Sequence, residues 1–160
     1  MSEGPAGHGD SRPENPVSSH DAPELAPANG ADTHQLYKRG LDLLGRGSPA
    51  AAAQLLERAA AAEPRSKSVL EALARAQFDA GQYAAAAGNF RLIVEASPSD
   101  DYAQFGLGLA LARTGDPGAA AEHLALAAAM RPNLRHYTDA LRSVRATLKA
   151  RRQMQRGSSD

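Results

Sequence analysis

The chain has 160 residues, a formal net charge of zero from 18 basic and 18 acidic side chains, and a hydrophobic fraction of 42% that is dominated by alanine. This length favours one domain, and the low aromatic fraction of 4% favours thin helices stacked side by side over a single bulky core. The absence of cysteine excludes disulfide bonds and thiolate chemistry, and without an apolar leader or a run of membrane-spanning length we expect a cytoplasmic protein with no membrane span.

Charge is distributed unevenly along the chain. Residues 1–32 carry six acids and one base, a net charge of −5, whereas residues 133–160 carry seven bases and two acids, a net charge of +5. The chain therefore has an acidic front and a basic end. Its 15 arginines against 3 lysines favour a GC-rich bacterial source.

The first segment, residues 1–31, is rich in Pro, Gly, Ser and Asn and shows no helical spacing. Val17 and Leu25 are its only sizeable aliphatic residues after Met1, so it cannot bury enough apolar surface to offset the entropic cost of ordering its backbone. We predict a disordered acidic tail. A binding motif around residues 23–27 is the alternative.

Residues 32–132 repeat with a period of 34. Helix-breaking, small and bulky residues each recur at a fixed phase, which is typical of tandem helix-turn-helix units. The recurring residues are Pro64, Pro98 and Pro132; Gly47, Gly81 and Gly115; Ala52, Ala86 and Ala120; and Leu56, Phe90 and Leu124. We predict three units, at residues 33–66, 67–100 and 101–134.

The helix boundaries follow from capping residues and helix stops. Asp32, with Gln35 three residues later, has the spacing of a capping box, and Ser66 and Asp100 recur at the same phase. First helices are predicted at residues 33–46, 67–80 and 101–114, each ended by its glycine. Second helices are predicted to begin near residues 49, 83 and 117 and to end near residues 63, 96 and 130, before the recurring proline.

This pattern resembles the tetratricopeptide repeat family. Small residues fill the eighth position of each unit, and further matches and departures can be read at other positions. The matches are the eighth position, with Gly40, Ala74 and Gly108, and the twenty-seventh, with Ala59, Ile93 and Ala127. The departures are the fourth position, aromatic in the family, with Leu36, Leu70 and Gln104, and the eleventh, with Leu43, Gln77 and Leu111. The resemblance covers residues 33 to about 132 and implies an all-α superhelical solenoid of three repeats.

A helix is also predicted after the third unit. Apolar residues recur there at spacings of three and four, and they form one stripe on a helix from about residue 134 to residue 154, within a segment at 133–155 that precedes a short tail at 156–160. The stripe consists of Leu134, Tyr137, Leu141, Val144 and Leu148. We predict a helix that caps the last unit, because the end of a repeat array needs a polar cover. Dimerisation through the far end of the stripe is the alternative, so the chain is a monomer or a homodimer.

The resemblance also implies a binding surface. In the family, the first helices line a concave groove that takes a peptide or a helix of a partner protein. The corresponding positions here include His34, Tyr37, Leu41, Arg75, Phe78, Tyr102, Phe105, Leu109 and Arg113, together with Leu44, Gly45, Ser68, Glu71, Asp79 and Ala112. The apolar members predict a partner with aliphatic or aromatic side chains, and the arginines predict a carboxylate. Alternatively, neighbouring first helices pack these residues against each other.

One specialisation of the family is not expected. Members that clamp the C-terminal carboxylate of heat-shock chaperones use lysine, asparagine and arginine at five groove positions. The residues at those positions here are Tyr37, Leu41, Ala72, Tyr102 and Gly106. Because none of them matches, we do not expect recognition of that chaperone tail.

No residue pattern points to catalysis. The five histidines, His8, His20, His34, His123 and His136, have no partner at metal-ligand spacing, and we expect His123 and His136 to be solvated. We therefore predict a protein without enzymatic activity, cofactor or metal.

Two alternatives use the basic end of the chain. Its bases could bind nucleic acid or another anionic surface, with affinity that weakens steeply as salt rises. The candidate residues are Arg142, Arg145, Lys149, Arg151 and Arg152. The second alternative is that the acidic tail at residues 1–31 folds over the basic helix and screens it.

Overall fold

A computed structural model describes residue 4 and residues 30–159, and these residues form seven α-helices and no strand. The helices are α1 (Gly30–Gly45), α2 (Pro49–Ala62), α3 (Lys67–Asp79), α4 (Tyr83–Ala96), α5 (Asp101–Arg113), α6 (Pro117–Met130) and α7 (Arg135–Gly157). Each helix packs against the next along the chain, and α1, α3, α5 and α7 also contact each other in a row. The predicted all-α superhelix of three helix pairs and a final helix is confirmed.

Glycine ends the first helix of each unit. Gly47, Gly81 and Gly115 have φ values of 78°, 80° and 88°, a region that is inexpensive only for a residue without a β-carbon. The residue after each glycine donates its backbone N–H to a carbonyl in the last turn, for example Gln82 to Gln77 at 2.7 Å. The chain therefore reverses at the same place in every unit.

The starts of the helices are capped less uniformly than the sequence predicts. Ser66 and Asp100 accept a hydrogen bond from the backbone N–H three residues later, as predicted. Asp32 is not a cap, because α1 already begins at Gly30 and places this carboxylate in its first turn, where the helix dipole favours a negative charge. The remainder of the predicted tail, with its motif at residues 23–27 and with His8 and His20, lies outside the described residues.

Small residues let the two helices of a unit approach closely. A β-carbon on Gly40 would lie 2.6 Å from Leu56 Cγ, and one on Gly108 would lie 2.7 Å from Leu124 Cγ. Leu56 and Leu124 are completely buried. The eighth position therefore has to be small because a leucine of the second helix occupies the space above it.

Helix α7 covers the end of the third unit. Tyr137, Leu141 and Val144 are buried in the same core as the last two units, and Leu134 and Leu148 pack at its margin. The apolar stripe predicted for this helix thus docks on the array. The helix continues to Gly157, beyond the predicted residue 154, because the residues from 150 to 156 are good helix formers and no proline interrupts them.

Two glycine substitutions test this packing as a matched pair. In Gly106→Ala, the new methyl group would lie 2.5 Å from the ring of Phe90, which is 2% exposed, so we expect the free energy of unfolding to fall by roughly 1–3 kcal/mol. In Gly88→Ala, on the exposed side of α4, no atom lies within 4 Å of the new methyl group. This variant should gain about 0.5–1 kcal/mol from helix propensity. Urea denaturation of both variants measures the difference, and equal effects would contradict the packing described here.

Candidate functional site

The first helices of the three units form a pocket on their shared face. This central pocket has a volume of about 420 Å³. Its lining comes from α1, α3 and α5 and consists of Tyr37, Leu41, Lys67, Ser68, Glu71, Ala72, Arg75 and Tyr102. A second pocket of about 360 Å³ adjoins it, includes His34, and shares Tyr37 and Ser68 with it. We refer to the two pockets together as the groove.

Seven of the predicted groove residues meet in the groove. The central pocket is lined by Tyr37, Leu41, Ser68, Glu71, Arg75 and Tyr102, and the adjoining one by His34. Leu41 is 39% exposed and lines the central pocket together with Tyr37 and Tyr102. The groove thus combines exposed apolar surface with one guanidinium group.

Arg75 supplies the positive charge of the central pocket. It is exposed and forms no ion pair with any residue in the described part of the chain. Lys67, the other cation, is paired with Asp100 at the start of α5. Burial alone would raise the pKa of the Asp100 carboxyl, but the hydrogen bond and positive charge of Lys67, together with the backbone N–H groups of Tyr102 and Ala103, outweigh it and hold this pKa below its usual value. The charge of Lys67 is therefore already balanced by Asp100 of the same chain.

Glu71 and Tyr102 give the central pocket its remaining polar character. Burial raises the pKa of the Glu71 carboxyl, and the nearby negative charge of Asp100 acts in the same direction. Burial also raises the pKa of Tyr102, so its hydroxyl stays protonated and is able to donate a hydrogen bond at neutral pH. With Lys67 neutralised, Arg75 and Glu71 leave the pocket close to electrically neutral.

Two other predicted groove residues, Phe78 and Arg113, form a separate cluster with Tyr83 of α4. The Arg113 guanidinium lies 5.9 Å from the ring centre of Phe78 and 5.3 Å from that of Tyr83, and it donates a hydrogen bond of 3.2 Å to the Tyr83 hydroxyl. The rings of Phe78 and Tyr83 meet edge to face. Arg113 is thus engaged by neighbouring side chains of the same chain.

Phe105 and Leu109 also lie away from the pocket. The ring of Phe105 stacks on Tyr137 of α7 at 4.5 Å and meets His136 edge to face at 5.2 Å. Leu109 is half-buried and packs at the margin of the main core. For Phe105 the structure has the packing between neighbouring helices that the sequence left open as an alternative. His136, expected to be solvated, is exposed but uses its ring edge in this cluster.

The basic end of the chain forms a second predicted surface. Arg142, Arg145, Lys149, Arg151 and Arg152 are all exposed on α7. Arg142 forms an exposed ion pair of 3.2 Å with Asp139 one turn earlier. Arg151 lies on a different side of the helix from the other four, because a helix rotates by about 100° per residue.

Comparison with known proteins decides the family. The sequence profile described as tetratricopeptide repeat matches residues 37–101 and residues 72–135, which together span more than half of the chain. The chain belongs to the tetratricopeptide repeat family. A comparison with curated protein sequences finds no significant match.

Several solved structures share the fold at low sequence identity. The TPR domain of Sgt2 from Aspergillus fumigatus has a TM-score of 0.69 at 21% identity, over 81% of this chain and 86% of that chain. The first TPR of Spaghetti (RPAP3), bound to the HSP90 peptide SRMEEVD, has a TM-score of 0.70 at 20% identity, over 77% and 98%. The Yersinia enterocolitica type III secretion chaperone SycD, in complex with a peptide of the translocator YopD, has a TM-score of 0.65 at 15% identity, over 74% and 96%.

The described residues contain neither a candidate membrane span nor a cluster of metal ligands. Within residues 30–159, no helix combines the length and the apolarity that crossing a membrane requires. In the same part of the chain, no three side chains of His, Cys, Asp or Glu converge in a way that could hold a metal ion.

The repeat register explains a polar contact that the sequence interpretation missed. His123 is half-buried, with its Nδ1 2.8 Å from Oε1 of Gln104, and Gln104 in turn donates a hydrogen bond of 2.9 Å to the carbonyl of Pro98. The prediction of a solvated His123 is wrong. Asn89, at the same repeat position, donates a hydrogen bond of 2.7 Å to the buried Gln77. The shared phase of Asn89 and His123 was the available signal.

Protonation of His123 should weaken the fold. Nδ1 donates to a carbonyl oxygen of Gln104, and burial, followed by the positive charge of Arg91, lowers the pKa of His123 below its ordinary value of 6.5. The unfolded chain therefore binds a proton more readily, so the free energy of unfolding should fall as pH decreases below 6.5. His123→Gln keeps a donor but cannot titrate in this range. We expect thermal denaturation between pH 7 and pH 5 to show a shallower decline for the variant, and parallel curves would contradict this assignment.

Proposed function

We propose that this tetratricopeptide repeat protein is a non-catalytic interaction module that binds a segment of a partner protein in the groove of α1, α3 and α5. The observation that carries the proposal is the convergence of Tyr37, Leu41, Arg75 and Tyr102, from three different helices, on one pocket of about 420 Å³. Exposed apolar surface next to a guanidinium that forms no ion pair with the described residues is the composition expected of a peptide-binding site. The Spaghetti and SycD structures each contain a bound peptide, which supports this use of the fold.

The residues of the central pocket define the chemistry of the partner segment. Tyr37 and Leu41 favour an aliphatic or aromatic side chain, and Tyr102 adds a hydrogen-bond donor for a carbonyl or carboxylate oxygen. Arg75 favours one carboxylate. Glu71 in the same pocket disfavours a second negative charge, since its own carboxylate is already half-buried. The proposed ligand is therefore an apolar segment with a single acidic group.

This ligand differs from an acidic chaperone tail. The five positions that form a carboxylate clamp in other family members hold no basic residue in this chain. Ala72 is 5% exposed, and Gly106 lies directly beneath the ring of Phe90. Neither position can present a charged side chain to the groove without displacing its neighbours, so recognition of the HSP90-type tail is not part of the proposal.

The aromatic residues outside the pocket have a supporting role in this proposal. The ring of Phe90 meets Tyr102 edge to face at 6.1 Å and lies beneath it in the core. Arg113 and Phe78 tie α5 to α3 and α4, and Phe105 ties α5 to α7. We propose that these contacts hold the first helices rigid, so that a flexible segment orders on a preformed surface.

Selection from a random peptide-display library against the full-length chain tests the proposal. We expect the selected peptides to carry clustered apolar residues and one acidic residue. With a selected peptide as the fluorescent probe, Tyr37→Ala combined with Tyr102→Ala should weaken binding at least tenfold, which corresponds to about 1.4 kcal/mol. Arg75→Gln should weaken it several-fold.

Two variants on other helices serve as matched controls. Leu126→Ala removes a leucine that is 48% exposed on α6, and Arg91→Gln removes an exposed arginine on α4. Both should bind the probe as the natural chain does, and circular dichroism should show equal helicity for all variants. If the groove variants bind normally, or if the controls lose as much affinity, the site lies elsewhere.

A further inference from the structure

Six basic residues of α7 form one continuous stripe. A rotation of about 100° per residue places them within a sector of roughly 100° on the helix surface. They are Arg135, Arg142, Arg145, Lys149, Arg152 and Arg156, and all are exposed. From Arg142 onward, successive members are separated by three or four residues, so each lies next to the following one on the surface. We call this surface the basic stripe.

At Arg142 and Arg145, the basic stripe occupies the face on which each of the three units packs its second helix. Arg142 has the repeat phase of Gly40 and Gly108, which lie directly beneath a leucine of the second helix in their units. Arg145 has the phase of Gln77, which bonds to Asn89 of α4. No further helix follows α7 within the described residues. The stripe is therefore a face of the last described helix that no other described helix covers.

Neighbouring groups in α7 leave the charge of the stripe largely uncompensated. Like charges separated by three or four residues destabilise a helix. The sequence from residue 140 to residue 159 contains no acidic residue, and among the described residues the ion pair of Arg142 with Asp139 is the only one that involves the stripe. The helix dipole favours positive charge only in the last turn, which accounts for Arg156 and not for the residues from Arg142 to Lys149.

We propose that the basic stripe is covered by the acidic segment of the same chain that precedes α1. Residues 1–29 carry five acids and one base, a net charge of −4, and this charge is opposite in sign to that of the stripe. The acids are Glu3, Asp10, Glu14, Asp21 and Glu24. The segment and the stripe thus neutralise each other, and an external polyanion has to displace the segment before it can bind.

The segment is long enough to reach the stripe. The row from α1 through α3 and α5 to α7 contains three steps, and packed helices lie 8–10 Å apart, so the distance across the row is about 25–30 Å. Glu14 precedes Gly30 by 16 residues, which can span up to roughly 50 Å. Asp10 and Glu3 lie farther along and have more reach. Glu24, six residues from Gly30, can span only about 20 Å, so the contacts should involve the first half of the segment.

Energy transfer between two dyes on the full-length chain measures this contact. The chain has no native cysteine, so Ser11→Cys and Ser143→Cys provide unique labelling sites, one in the segment and one on the exposed surface of α7 beside the stripe. We expect high transfer efficiency at about 10 mM salt, where the screening length is about 30 Å, and at least a twofold lower efficiency at about 1 M, where it is about 3 Å.

Charge variants identify the two partners. Asp10→Asn combined with Glu14→Gln should reduce the transfer at low salt to its level at high salt, and so should a triple change in the stripe. The triple change is Arg145→Gln, Lys149→Gln and Arg152→Gln. A matched triple change removes the same charge from exposed positions outside α7 and should leave the transfer high. It is Arg58→Gln, Arg65→Gln and Arg91→Gln. If the transfer efficiency is the same at low and high salt, or the same in the triple stripe variant as in the natural chain, the proposal is overturned.

Two further outcomes would also overturn it. If transfer appears between singly labelled chains and rises with protein concentration, the segment binds a second copy and not its own chain.

Binding of a fluorescent single-stranded oligouridine at low salt gives an independent readout. Neutralising Asp10 and Glu14 should increase its affinity several-fold in the otherwise natural chain and have no effect in the triple stripe variant. Equal affinity for the natural and neutralised chains would mean that the stripe is already free.

Discussion

The array depends on how closely the two helices of each unit can approach, and small residues set that distance. Gly40 and Gly108 lie under Leu56 and Leu124, each of which is completely buried, and Ala74, at the same position of the second unit, is completely buried in one core with Phe90. A larger side chain at these positions would push the helices apart. Because every unit repeats the same crossing, the first helices fall into a row, and the row creates the groove.

The same repeat also determines which parts of the row are free to bind. Within the first three units, each first helix packs on its own second helix and on its neighbours, so only one face remains exposed. Cross-unit contacts then occupy part of this face, as in the stacking of Phe105 on Tyr137 and the placement of Arg113 over Phe78. What remains is the groove around Arg75. Among the described residues, no second helix follows α7 to pack on it, and the corresponding face of α7 is basic.

The sequence predicts helix boundaries well where glycine and proline restrict the backbone locally. It predicts side-chain contacts less well, because the partner residues come from other helices. The period of 34 located the helices because glycine with a positive φ and proline after a helix act locally, whatever surrounds them. Phe105 and Arg113 were placed on the correct helix, but their partners come from α7 and α4 and depend on geometry between units. His123 was judged from its own helix alone, whereas its partner is a buried glutamine on α5.

The measurement that tests this account most directly is a set of nuclear Overhauser contacts at the helix crossings. The account predicts cross-peaks from the α-protons of Gly40 and Gly108 to the methyl groups of Leu56 and Leu124, because each glycine lies directly beneath its leucine. Observation of both contacts would establish the spacing that aligns the groove. A helical chain in which these cross-peaks are absent would contradict the account.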